Sequence, residues 1–312
     1  MKKILITGCA GHLGSVLTKN LLEKGHKVIG IDYLSYGGES MLSFYHNRNF
    51  KFYNADITKS INKKFLNVDI VVHLAAYVST LGSNKYPQLT NNINYRGSIN
   101  LLKAFKQYKT PFIFASTCSN YGVSKGIVDE TAELIPLGPY ALAKVKVEKE
   151  IFKKYKFAKV FRFGTLAGSS LRPRFDTMLN EWVLESITKK NIICYAPNSY
   201  RPFVHVSDAA NAIEVAIDKW MFLNSNVYNI ASFNVTKKKL ALEISKITKC
   251  KLKFVNKGPD KRNYRVDSNK FKKDANFTFF KDLNYCLTEI KDLIKKEIIR
   301  DYNSFINFKT ND

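Results

Sequence analysis

The sequence predicts an α/β protein: a doubly wound parallel sheet followed by a smaller, mostly C-terminal α/β region. Three observations carry that prediction. Short β-branched runs alternate with amphipathic stretches through the first half, a glycine-rich turn stands where the first strand hands over to the first helix, and the rhythm breaks after Gly168. Parallel strands need helical crossovers between them, which is why this alternation selects a parallel sheet.

The elements follow in order. Residues 3–7 read as a buried strand, Leu13, Val16, Leu17 and Leu21 recur at helical spacing, and residues 27–31 form a second strand. Further strands are expected over 50–54, 70–74, 111–116 and 159–163, with helices over 90–108 and 139–155 between them. Beyond Gly168, Arg172-Pro173-Arg174 precedes a helix reaching about residue 189, and short strands and turns come next. A helix over 207–221 and a strand over 227–230 read as a return to the first sheet. The chain ends Lys-rich, in a helix with Leu283, Leu287, Ile290, Ile294 and Ile298 on one face. This divides the chain into a first domain over 1–170, rejoined at about 201–232, and a second over 171–312, mainly 171–200 and 233–312.

A chain of 312 residues holds one large or two modest domains, and 45% hydrophobic with 24% charged residues excludes wholesale disorder. The unusual quantity is a net charge of +24, in which 41 of the 50 basic residues are lysine. Such a balance fits a polyanionic partner, a small phosphorylated substrate or a merely Lys-rich surface. The five cysteines are odd in number and form no CxxC or Cys/His cluster, so neither a disulfide framework nor a metal site is expected. With no signal peptide and no apolar run long enough to span a bilayer, the expectation is a soluble cytoplasmic protein without a membrane partner.

The strongest local signal is Thr7-Gly8-Cys9-Ala10-Gly11-His12-Leu13-Gly14 at the junction of strand and helix. Glycines there let the backbone turn sharply and approach a pyrophosphate, whose charge is met by free amides at the positive end of a helix. Asp32 ends the second strand, where a carboxylate can accept hydrogen bonds from an adenosine ribose. No Arg or Lys follows at once in Tyr33-Leu34-Ser35, so NAD is favoured over NADP. Together these features make the sheet a Rossmann-type one. A second pair, Tyr140 and Lys144, stands one helical turn apart on one face. A phenol titrates near ~10, and a neighbouring ammonium stabilises the phenolate that a general base requires.

In this order the residues resemble the extended short-chain dehydrogenase/reductases that act on nucleotide sugars. The resemblance rests on the glycine pattern, Asp32, Asp56-Ile57, His73-Leu74-Ala75-Ala76, Asn94 before Gly97, Ser116-Thr117-Cys118-Ser119-Asn120-Tyr121-Gly122, Tyr140, Lys144 and Arg201-Pro202-Phe203-Val204-His205-Val206-Ser207-Asp208. It is dense to about Ile230 and thin beyond. It implies Thr117, Tyr140 and Lys144 as the catalytic set, Thr117 bonding the sugar oxygen and Lys144 lowering the Tyr140 pKa while holding the nicotinamide ribose. It implies cofactor contacts from Gly8, Ala10, Gly11, His12, Leu13, Gly14, Asp32, Asp56, Ile57, Leu74, Ala75, Ala76, Asn94, Tyr140 and Lys144. A homodimer is implied as well. Each residue also has a plainer reading: Thr117 as a strand-end hydroxyl, Asp56 as a turn residue, His73 as a satisfied core histidine.

Departures narrow the chemistry. Where the family's 4,6-dehydratases carry an Asp-Glu pair after the catalytic threonine, this chain has Cys118-Ser119, which removes the acid and base for water elimination. Thr165 stands where the family usually has asparagine. The stretch from Ser170 to Asp176 with Asn180, and Asp260-Lys261-Arg262-Asn263-Tyr264, look like a subgroup that includes nucleotide-heptose 4-dehydrogenases and 4-epimerase-like enzymes. Thr165, Arg174, Asn180, Arg201 and Arg262 are therefore the candidate substrate residues, the arginines as diphosphate clamps. The expected function is NAD-dependent oxidation at carbon 4 of a nucleotide-diphosphate sugar, as a 4-epimerase or net 4-dehydrogenase. The alternatives are a 4,6-dehydratase or 4-keto-reductase of the same family, or an RNA-binding protein on the same scaffold. The last rests on the charge and on the lysines at 237–239 and across 249–273, yet nucleic-acid binders interleave aromatics with arginine, and no nucleic-acid partner is expected.

Overall fold

The computed structural model describes residues 1–258 and 260–308. The chain opens with β1 (Lys3–Thr7), α1 (His12–Glu23), β2 (Lys27–Asp32), β3 (Phe50–Asn54) and β4 (Ile70–His73). Next come α2 (Thr80–Lys85), α3 (Pro87–Thr90), a π-helical turn (Asn91–Gly97), α4 (Ser98–Lys106), β5 (Phe112–Thr117), a tight turn (Cys118–Tyr121), β6 (Val123–Val128) and α5 (Pro139–Lys154). The chain continues through β7 (Ala158–Phe163), β8 (Thr165–Ala167), α6 (Met178–Thr188), β9 (Asn191–Tyr195), β10 (Tyr200–His205), α7 (Val206–Asp218), β11 (Val227–Ile230) and β12 (Phe233–Thr236). It closes with α8 (Lys237–Thr248), β13 (Lys251–Val255), β14 (Asn263–Val266), α9 (Asn269–Ala275) and α10 (Leu283–Lys295).

Seven strands form one sheet in the order β11-β7-β5-β4-β1-β2-β3, every adjacent pair parallel. The central β1 shows why both faces need cover. Ile4 and Ile6 pack with Leu13, Leu17 and Leu21 of α1 and Ile213 and Ile217 of α7. Leu5 joins the opposite layer with Leu101 and Phe105 of α4 and Val147 and Ile151 of α5. The remaining strands make smaller sheets, β12-β10-β8, β13-β9 and β14-β6. A further apolar cluster joins Leu179 and Val183 of α6 to Leu240 and Ile244 of α8 and Leu287, Ile290 and Ile294 of α10.

The expected return to the first sheet is present: β11 pairs with β7, and α7 packs against α1. β10 instead pairs with β8 and β12 outside it. Two helix expectations need correction. The helix over 90–108 starts earlier and is interrupted by the π-helical turn, and the last helix stops at Lys295. Glu297 then takes a left-handed φ of 52°, so Ile298 leaves the apolar face and is 66% exposed. No helix among the described residues is long and apolar enough to cross a membrane.

Because the strands run parallel, the carboxyl ends of β1, β2, β4, β5 and β7 share one edge, and the loops leaving them meet there. In open α/β sheets that edge is where ligands bind.

Candidate active site

A cleft of about 1630 Å³ follows this edge. Its first half is built on the glycine turn. Gly8 has φ +77° and lies against β4's exit, where a Cβ would sit 2.7 Å from the Ala75 amide. A Cβ on Gly14 would run into the Gly8 carbonyl, so helix and strand could not pack this closely with any side chain there. Helix α1 starts at His12 with no side chain capping its first turn among the described residues, leaving its amides free for an anion.

Asp32 accepts from the Ala10 amide at 3.0 Å and from the Leu34 amide at 2.9 Å, so it shapes the glycine turn as well as facing the cleft. Burial pushes its carboxyl pKa up, and these backbone bonds pull it back. Asp56 bonds the Thr58 amide at 2.8 Å and, like Ile57, Leu74, Ala75 and Ala76, lines the cleft. His73 is a core histidine, held by the Thr7 hydroxyl at 2.7 Å and the Ser98 hydroxyl at 2.8 Å, and burial drives its pKa down to about 3.

The middle of the cleft brings together Thr117, Tyr140 and Lys144. Thr117 ends β5, and its hydroxyl also caps the following turn by accepting from the Ser119 amide at 3.1 Å. Helix α5 begins at Pro139 after Gly138, whose φ of +85° turns the chain into it. That start sets Tyr140 and Lys144 one turn apart, facing the cleft. Lys144 is buried, donates to the Ala115 carbonyl at 2.7 Å, and lies 4.7 Å from the Phe114 ring centre. Burial pushes its ammonium pKa down to about 7. Burial likewise pushes the half-buried Tyr140 phenol up to about 12, opposed first by Arg174 and then by Arg262 and the Thr117 hydroxyl. In this structure the cations bearing on Tyr140 are therefore arginines, while the ammonium expected to do so is held by a carbonyl.

Thr165, Arg174, Arg201 and Arg262 line the far half. Each arginine meets a carboxylate: Arg174 pairs with Asp176 at 2.8 Å, and Arg201 and Arg262 share Asp260 at 2.6 and 2.8 Å. Those two cations hold the Asp260 carboxyl well below its usual range against the opposing effect of burial.

Two expected contact residues stand behind the walls instead of on them. Asn94 is fully buried and bonds the Tyr77 backbone at 2.7 and 3.0 Å. Asn180 is also fully buried and ties Gly168 to the Arg174 carbonyl at 2.9 to 3.1 Å. Both fix loops that do line the cleft. Sequence reasoning missed Tyr36, Arg172 and Asn307, all on the lining. Asn307 bridges the two halves: its amide donates to Asp176 at 3.2 Å, its side chain donates to the Val78 carbonyl at 3.2 Å, and its carbonyl accepts from Tyr36 at 3.2 Å. No spacing motif marks such a residue.

The first half fits a dinucleotide on three counts: glycines that admit no Cβ, an uncapped helix start, and a carboxylate at the end of β2. Residues 4–231 match the model of the NAD dependent epimerase/dehydratase family. A protein of Bacillus subtilis (strain 168) described as an uncharacterized UDP-glucose epimerase is 31% identical over 235 residues, which is 70% of this chain and 73% of the relative. The UDP-glucuronate 4-epimerase of Thermodesulfobacterium geofontis (strain OPF15) is 29% identical, covering 66% of this chain and 68% of its own. The crystal structure of UDP-glucuronic acid 4-epimerase from Bacillus cereus in complex with UDP-glucuronic acid and NAD superposes with a TM-score of 0.84 at 26% identity, over 94% of this chain and 99% of that one. The chain belongs to the NAD-dependent epimerase/dehydratase family, a branch of the extended short-chain dehydrogenase/reductases.

Proposed function

We propose that this protein is an NAD-dependent 4-epimerase of a nucleotide-diphosphate sugar. The observation that carries the reading is one continuous cleft, in which Thr117, Tyr140 and Lys144 separate a dinucleotide-shaped half from a half lined by arginines. Relatives named as UDP-sugar 4-epimerases support it.

When bound, NAD supplies a hydride acceptor. In this reading Tyr140 takes the proton from the carbon-4 hydroxyl and Thr117 orients that hydroxyl. Lys144 holds the cofactor ribose once it releases the Ala115 carbonyl. Arg174 and Arg262 draw the phenol back toward the range in which it can act as a base. Arg201 and Arg262 hold the sugar nucleotide's diphosphate, with Asp260 fixing both forks. The cofactor half corresponds to residues 1–170 with the return at 201–232, and the sugar half to 171–200 and 233–312, of which residue 259 and residues 309–312 lie outside the described residues. A homodimer is part of the proposal, supported by the apolar Leu142 and Phe152 exposed on α5.

Epimerase and net dehydrogenase differ only in whether the 4-keto sugar is reduced again before release. Dehydration is disfavoured because Cys118 is fully buried, with its thiol against the Arg162 carbonyl, and Ser119 carries no carboxylate. A panel of UDP-, dTDP-, GDP- and CDP-hexoses followed by product analysis tests the proposal. At least one is expected to equilibrate with its carbon-4 epimer. A 4-keto-6-deoxy product, or no turnover of any of them, would overturn it.

A further inference from the structure

Arg172 stands apart from the other arginines of the cleft. The residue is 5% exposed, and its Nε and Nη2 are buried without a hydrogen-bond partner. A buried guanidinium with open donors is destabilising unless something accepts from them. The guanidinium carbon lies over the Tyr36 ring, 4.5 Å from its centre.

The loop carrying Arg172 is tied to the start of α1. The His12 ring pairs through Nδ1 with the Ser170 hydroxyl at 2.8 Å and with the Arg172 carbonyl at 3.1 Å, and the Arg172 amide donates to Ser170 at 3.1 Å. Burial keeps that imidazole neutral, driving its pKa down to about 3, so the positive charge at this point is the guanidinium's own. The groups that act electrostatically on the guanidinium are Arg174, Tyr36, Asp176 and Asp32, all of them on the lining of the cleft, and Asp32 also holds the glycine turn through the Ala10 amide. A cation with open donors, an uncapped helix start and a glycine turn thus border one space.

We infer that Arg172 grips the diphosphate of the dinucleotide beside the start of α1, so that the loop over 168–177 is fastened to the cofactor. The inference rests on assigning this half of the cleft to NAD. A planar fork suits two adjacent phosphate oxygens, and one guanidinium offsets half of the diphosphate's charge. Two residues on, the same loop carries Arg174, the cation that bears most on Tyr140. Seating the cofactor therefore also seats the charge that tunes the phenol.

Calorimetric titration of the wild type, Arg172→Met, Arg172→Lys and Asp32→Ala with NAD, ADP-ribose and adenosine tests this. Arg172→Met is expected to weaken NAD and ADP-ribose by about 10- to 100-fold and to leave adenosine unchanged, with Arg172→Lys recovering part of the loss. Unchanged ADP-ribose affinity in Arg172→Met, while Asp32→Ala weakens it, overturns the inference alone. An equal loss for adenosine, or a loss confined to the sugar nucleotide's own diphosphate, overturns it too. If neither variant weakens NAD, the assignment of this half of the cleft falls with it.

Discussion

Tyr140 sits in an environment that opposes its proposed role, and the opposition is informative. Burial alone favours the neutral phenol, and the arginines that favour the phenolate are themselves paired with Asp176 and Asp260. A base at neutral pH then needs further positive charge, which in the proposed mechanism the ammonium of Lys144 and the nicotinamide ring of bound NAD would supply. Removing the hydroxyl should leave binding intact and abolish proton transfer. Tyr140→Phe is expected to keep NAD affinity within about twofold and to lower turnover by about 10²- to 10⁴-fold, read by titration and initial rates. Turnover within tenfold of wild type would exclude Tyr140 as the acid/base. At this scale much was legible in the sequence, because the fixed spacing of a strand or helix carries Gly8, Asp32, Tyr140 and Lys144 to the lining of one cleft. Asn94 and Asn180 stand behind the wall of the cleft, because a side chain's direction depends on loops that spacing does not encode. Arg172 was overlooked because its character lies in the absence of a partner, which only packing reveals.

Helix α5 carries both Tyr140 and Lys144, so its seating on the sheet decides whether they meet Thr117. A buried polar network supplies that seat. Glu148 of α5 receives Arg162 of β7 at 2.7 Å and Asn120 at 2.8 Å, and also the Ser116 hydroxyl of β5; Arg162 reaches Tyr121 at 2.8 Å as well. Both charged partners are at most 3% exposed, so neither can be removed without leaving a buried charge behind. Arg162→Met should lower the unfolding free energy by about 3–5 kcal/mol, measured by denaturant titration. A loss under about 1 kcal/mol would mean that solvent reaches Glu148 and that the network does not anchor the helix. The sequence predicted the helix over 139–155, yet nothing in it marked Glu148 and Arg162 as partners across the sheet. The break in the helix at Asn91–Gly97 was equally hidden, since a π-helical turn shifts register without changing composition.

For the molecule as a whole, the alternation of strand and helix revealed the parallel sheet, while the pairing of the short strands into smaller sheets went unread. Their strands are three to six residues long and pair over large sequence separations, so no local period announces them. The +24 charge, which first suggested a polyanion, divides into several roles. Some lysines are structural: Lys159 is buried and donates to the Leu223 and Ser225 carbonyls, and Lys237 is buried against the Tyr195 carbonyl. The arginines of the cleft line the space proposed for ligands that carry phosphates, and many remaining lysines are exposed on helices and turns. The central claim is that hydride leaves carbon 4 of the sugar for NAD and returns to the same carbon within one cleft. It is tested most directly with a substrate hexose from the nucleotide-sugar panel, deuterated at carbon 4 and turned over in ordinary water. The account predicts a carbon-4 epimer that keeps its deuterium at carbon 4 with no solvent hydrogen at carbon 5; loss of the label to water, or exchange at carbon 5, would contradict it.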